Sequence, residues 1–265
     1  MSALNGLSST LSTGVNNVQA QIKDVQTQLA TGKKNLDPGQ LGTVTRLSSQ
    51  VTGYNSAADN IAQAQSAISV AQTGLSSIND LMTQMIDLAN KASNASLSDA
   101  DRSKLNTTFQ SLATQITSIT DNTEMNGVNL IKSGATNATV QSGITATDTM
   151  TITAVASDAT TLGINAEDIS TAAGAATAIT DLKGALDTLS TNQSSLAADN
   201  AGLAAKGKTD AAIATNLQSS IDVIVKPDQA KLQMDLSSLN NQQSIDYYLI
   251  SQLNTAASAA MTIFR

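Results

Sequence analysis

The chain has 265 residues, a formal charge of −7 and a sequence pI near 4.4, with no His, Cys or Trp and only three Tyr and two Phe. Without His or Cys it lacks the usual general base, thiol nucleophile, disulfide and soft-metal ligands, so no catalytic residue, cofactor or metal site is expected. The acidic balance argues against nucleic acid or an anionic membrane as partner; the sequence shows no 18-residue apolar run, and "MSALNGLSST" lacks the positive n-region of a secretory signal.

Apolar residues in the first stretch fall at Leu4, Leu7, Leu11, Val15, Val18, Ile22, Val25 and Leu29. Their spacings of three and four mark one face of a helix. Pro38, one of only two prolines, is read as a break. Beyond it two seven-residue columns run in step: Tyr54, Ile61, Ile68, Leu75, Met82 and Ala89, and Ala57, Ala64, Ala71, Ile78, Met85 and Ala92. A repeat of seven held this long predicts a left-handed supercoiled helix packing. A continuous helix over 44–93 would be roughly 75 Å long at about 1.5 Å per residue.

"SNASLSDADR" carries helix-start chemistry, with Ser98 or Asp99 as cap and Asp99 and Asp101 near the positive end of the dipole. A helix over 99–121 follows, with Leu105, Phe109, Leu112, Ile116 and Ile119 on one face, and it stops near "EMNGVNL", where Asn126-Gly127 suits a tight turn or a helix C-cap. Residues 131–165 are Thr-rich, and Met150, Ile152 and Ala154 alternate with Thr149, Thr151 and Thr153, which reads as a β-hairpin region. Helical period returns over 170–222. Leu182, Leu189, Leu196 and Leu203 are seven apart, Asp210 interrupts the column, and Gln193 and Asn200 make its companion polar. Such polar residues either fix register or face water. After Pro227 the last amphipathic stretch holds Leu232, Leu236, Leu239, Ile245, Leu249, Leu253, Ala257, Ala260 and Phe264.

The fold class expected is mainly α: a long coiled-coil-like helical rod with a small β-hairpin region, and terminal helices paired in an end domain. The boundaries expected are an N-terminal arm over 1–40, a rod domain over 41–222 and a C-terminal arm over 223–265, with Pro38 and Pro227 as hinges. One apolar stripe hardly offsets the entropy of ordering an arm by itself, so both arms are expected to order against copies of themselves.

"GLAAKGKT" at 202–209 matches the phosphate-loop pattern G-x-x-x-x-G-K-[ST]. That loop needs a buried strand before it. Here Leu recurs every seven residues upstream, so the match is read as helix and a nucleotide-binding enzyme as a remote alternative.

Several of these stretches resemble bacterial flagellin. "QLATGKKN", "AQSAISVAQTGLSSINDLMTQMIDLANKASNASLSDADR", "TEMNGVNLI" and "DISTAAGAATAITDLKGALDTLST" are similar to that family's first-helix end, rod helix and turn, hairpin entry and returning helix. The resemblance implies a short form with only terminal-helix and rod domains, which self-assembles into the filament that propels swimming cells. It implies secretion by type III export without a cleaved leader. The partners implied are copies of the chain itself, hook-associated and cap proteins and an export chaperone, with the two terminal apolar stripes as assembly interface. A hook–filament junction protein is the nearest alternative, and a non-polymerising coiled-coil adaptor a further one. "TQMIDLANK" departs from the family stretch that Toll-like receptor 5 detects: Gln84 and Ile86 stand where arginines are expected, while Asp87 and Leu88 keep the pattern.

Overall fold

The computed structural model describes residues 2–263, with side chains from 6 to 259. Its elements are α1 (Ser2–Thr31), α2 (Pro38–Ala92), α3 (Asp99–Asn122), β1 (Ala138–Gln141), β2 (Thr149–Ile152), α4 (Ala172–Val225) and α5 (Gln229–Ile263). The mainly helical architecture with one two-stranded antiparallel sheet is the one expected.

Pro38 starts a helix; it does not interrupt one, and the expected start near 44 is corrected to Pro38. Asp37 Oδ1 accepts from Gln40 N at 2.8 Å, and Gln40 Oε1 accepts from Asp37 N at 3.2 Å. This reciprocal pair is a capping box, with the proline at the first helical position, where its missing N–H costs nothing. Pro227 likewise sits just ahead of a cap, since Asp228 Oδ1 accepts from Ala230 N at 3.0 Å and Lys231 N at 3.1 Å. Gly32, at φ 64°, ends α1.

Two compact units divide the chain: residues 1–49 with 216–265, and residues 50–215. The division falls within α2 and α4, and both prolines belong to the first unit.

In the unit 50–215, both heptad columns of α2 from Ala57 to Ala92 are buried. They meet Phe109, Leu112 and Ile116 of α3 and Leu182, Leu189, Leu196 and Leu203 of α4 in one cluster. Ser98 caps α3, its hydroxyl accepting from Asp101 N at 3.2 Å. Buried Arg102 donates from Nε to Ala92 O at 2.8 Å and from Nη2 to Asn94 O at 3.0 Å, closing the end of α2. Gly74 allows close packing: a Cβ there would lie 2.8 Å from Ile131 Cδ1 and 2.9 Å from the Thr123 side chain, so both would have to shift.

Asn126 (φ 52°) and Gly127 (φ 78°) form the tight turn, closed by Met125 N to Val128 O at 3.0 Å and Val128 N to Met125 O at 2.9 Å. Asn129 then ties the turn to α3, donating to Thr120 O at 2.7 Å and accepting from the N–H groups of Ile131 and Lys132, each at 3.0 Å. In the hairpin Ala138 pairs with Ile152 and Gln141 with Thr149. Val140 and Ile152 point into the core, while Thr149 and Thr151 face solvent, as the alternation predicts.

Candidate functional site

The candidate site is the apolar surface of the first unit. On α1, Val15, Val18, Ile22 and Val25 are buried, Leu11 and Leu29 half-buried, and Leu7 is 49% exposed. The Leu4 side chain lies outside the described residues. The helix packs along α5. Gln19 Nε2 donates to Tyr247 Oη at 2.7 Å, and Val25 shares a groove with Asp235 and Leu239, so the two helices run antiparallel.

On α5, Leu232, Leu236, Leu239, Leu253 and Ala257 are half-buried. Ile245 (59%) and Leu249 (42%) are exposed and do not share that face. Between Leu239 and Leu253 the half-buried positions are Gln243, Asp246 and Ile250. The heptad phase therefore continues through polar residues, and the apolar pair lies on another side of the helix, where sequence reasoning ran the two faces together. The strict step of seven from Leu239 to Asp246 and Leu253 was the signal available. Phe264, and the side chain of Ala260, lie outside the described residues.

What α5 turns to solvent is apolar as well. Met234, Ile245, Tyr247, Tyr248 and Leu249 are exposed there, joined in this unit by Leu7, Leu41 and Val223. Sequence reading overlooked Tyr247 and Tyr248, since "IDYYL" at 245–249 was read only for its Ile and Leu. Among the described residues the unit 50–215 exposes just three large apolar side chains, Val70, Val128 and Ile144.

Other sequence candidates fall elsewhere. Residues 202–209 lie wholly inside α4, so their backbone N–H groups are used by the helix, and the Lys206 ammonium pairs with the Asp210 carboxylate. The phosphate-loop reading is thereby overturned. Gln84 and Asp87 are exposed on α2, whereas Ile86 and Leu88 pack partly against the core. Among the described residues no group of three or more His, Cys, Asp or Glu could hold a metal, and no helix is long and apolar enough to cross a membrane.

The first unit thus pairs its terminal helices along one stripe and keeps large apolar side chains exposed, and the second closes a helical core on itself. The family pattern described as the bacterial flagellin N-terminal helical region matches residues 3–136, and the chain belongs to the bacterial flagellin family, the structural subunits of the extracellular flagellar filament. Flagellin FljM of Caulobacter vibrioides is 32% identical over 262 residues, covering 95% of this chain and 93% of that one, and FljO of the same organism is 30% identical over the same span. A flagellin of Listeria innocua is 35% identical over 127 residues, covering 46% of this chain and 44% of that one. The crystal structure of Bacillus cereus flagellin shares the fold at a TM-score of 0.53 and 22% identity, over 57% of this chain and 88% of that one.

Proposed function

We propose that this filament subunit polymerises by burying the open surface of its terminal helices between copies. The observation that supports this reading is the apolar surface gathered in one unit: eight large apolar side chains, from Leu7 to Leu249, lie open there. Apolar surface buried on association contributes roughly 25 cal/mol per Å² before the costs of ordering, so such a surface favours contact with further copies. The interface so proposed comprises Leu4 through Leu29 on the first arm and Leu232 through Phe264 on the last. Within it, Ile245 and Leu249 are free for neighbours, while Val15 to Val25 hold α1 to α5.

Pro38 and Pro227 act as hinges in this reading, because Pro38 opens α2 just after the break that follows α1 and Pro227 lies in the break between α4 and α5. Secretion through a type III channel without a cleaved leader belongs to the same proposal, as do hook-associated and cap proteins as partners. An export chaperone would cover the exposed face of α5 before polymerisation. Receptor detection through the "TQMIDLANK" stretch is proposed to be weak, since Gln84 and Ile86 replace the expected cations. The chain is proposed to act as a structural protein without catalysis.

The test is polymerisation of the purified chain with ammonium sulfate, imaged by negative-stain electron microscopy beside a variant lacking residues 1–37. Long filaments from the full chain alone are expected. A full chain that stays monomeric while binding a preformed hook end would favour the junction alternative.

A further inference from the structure

We propose that a few non-repeating side chains fix the axial register of α2 against α4 in the unit 50–215, against the slip that their repeats would otherwise allow. The repeats are degenerate. α2 presents Ala57, Ala64 and Ala71 beside Ile61, Ile68 and Leu75, and α4 presents Leu182, Leu189, Leu196 and Leu203. Over 57–75 of α2 and 182–203 of α4, moving one helix by seven residues, about 10 Å, mostly lays like side chain on like, and only Ile78 and Met85 farther along α2 interrupt its alanine column. Such columns do not choose between registers, and in coiled coils a lone polar layer often does.

Three observations mark the observed register. Gln65 Nε2 donates to Asn200 Oδ1 at 3.1 Å in a half-buried position. Gly207 faces Ile61: a Cβ there would lie 3.4 Å from Ile61 Cγ2, in van der Waals contact. Asp210 is fully buried at the place where the leucine column breaks; one oxygen pairs with Lys206 and the other, Oδ2, has no partner.

Each direction of slip meets its own obstacle. If α4 moves so that Asp210 takes the place of Leu203, a carboxylate enters the aliphatic cluster, which is costly. Lys206 then takes the place of Asp199, whose Oδ2 accepts from Thr153 N at 2.7 Å, and sets a cation against an N–H donor. Gln65 meanwhile loses its acceptor. If α4 moves the other way, Asn200 takes the place of Gly207 and sets a polar amide against the aliphatic Ile61 side chain. Asp210 thus opposes one direction of slip, and the Gly207–Ile61 contact opposes the other.

Engineered cysteines test this without background, because the chain has none. One heptad along from Gln65 and Asn200 stand Gln72 and Gln193, both half-buried. Oxidising Q72C/Q193C reports the observed register, and oxidising N79C/Q193C reports the first slip. In the parent sequence the first pair alone should close. In a background carrying Q65L, K206A and D210L, the ratio of N79C/Q193C to Q72C/Q193C cross-link should rise at least about tenfold, a shift equivalent to roughly 1.4 kcal/mol. The single change D210L should raise the melting temperature, since it fills a break in the apolar column. An unchanged cross-link ratio overturns the proposal, and so does a lower melting temperature for D210L or an unfolded release variant by circular dichroism. The readout is intramolecular and independent of filament formation.

Discussion

The two units solve opposite problems with the same element. In 50–215, long helices close a core on themselves: the columns of α2 are buried from Ala57 to Ala92, and α3, α4 and the hairpin cover them. In 1–49 with 216–265, equally regular helices bury, among the described residues, only Val15, Val18, Ile22, Val25 and Ile221 of the large apolar side chains and leave eight others open. Charge divides the same way. The first unit carries seven Lys and Arg against six Asp and Glu, a net of +1, and the second carries seven against fifteen, a net of −8. The unit with the complete core thus carries the net charge, and the unit proposed to meet other copies is nearly neutral. An amphipathic helix by itself does not say which of the two it will become; what distinguishes them is whether the rest of the chain supplies a cover.

The sharpest way to break this comparison is to place charge on each kind of surface. Ile245→Asp with Leu249→Asp should abolish filament formation, or raise the critical concentration at least about tenfold. The melting temperature of the monomer should hold, since exposed substitutions usually stay within about 0.5 kcal/mol. Sedimentation after salt-induced polymerisation reads the first effect and circular dichroism the second. Normal filaments from this double variant would remove α5's open face from the interface. The converse is expected of Ile78→Ala, fully buried in the second unit. It should lose about 2–5 kcal/mol in denaturant unfolding, and filaments should still form wherever the variant remains folded.

Arg102 tests how far the closed unit depends on backbone satisfaction as well as apolar contact. Its guanidinium is buried, pairs with exposed Asp99 at 2.7 Å and supplies donors to the carbonyls of Ala92 and Asn94. Arg102→Met keeps the stem and leaves both carbonyls without a donor, so a loss of about 2–4 kcal/mol is expected by denaturant unfolding. Arg102→Lys should recover only part of it, because one ammonium cannot reproduce the fork. Equal stability of the Lys variant and the parent would show that charge alone suffices there.

Much of this was legible in residue order, because the second unit obeys its own periodicity: the heptad columns, the Asn126-Gly127 turn and the Thr-faced hairpin all follow from local pattern. The start of α2 was also written there, in Asp37-Pro38-Gly39-Gln40, where a proline was read as a stop although the cap and the glutamine three residues on make it a start. The faces of α5 were harder. Two apolar sides on one helix give no single moment, and Ile245 and Leu249 lie close enough in phase to Leu239 and Leu253 to be merged with them. The tertiary ties of Arg102 and Asn129 carry no periodic signal at all, since each depends on where a distant helix end happens to lie.

The smallest effect expected concerns the approach to α4. Burial raises the Glu167 carboxyl above its ordinary value, and the Asp181 charge and hydrogen bond raise it further. Asp158, in the preceding segment, behaves oppositely: burial pushes it up, but the Thr161 hydroxyl and the N–H groups of Thr161 and Thr160 outweigh this and hold it low. A carboxyl raised on folding binds more protons in the native state than in the unfolded one. Stability therefore increases as pH falls from the raised value to the ordinary glutamate value. The Asp158 contribution is present above the ordinary aspartate value and is lost only as pH falls through its lowered one. Between pH 7 and about pH 5 the parent should gain slightly in melting temperature, a gain kept small by solvent screening, and Glu167→Gln should remove it while being slightly more stable than the parent at neutral pH. Melting temperatures of both proteins at the two pH values decide it. A Gln variant less stable at pH 7 would mean that the Glu167 carboxylate gains more from its surroundings than it loses to Asp181.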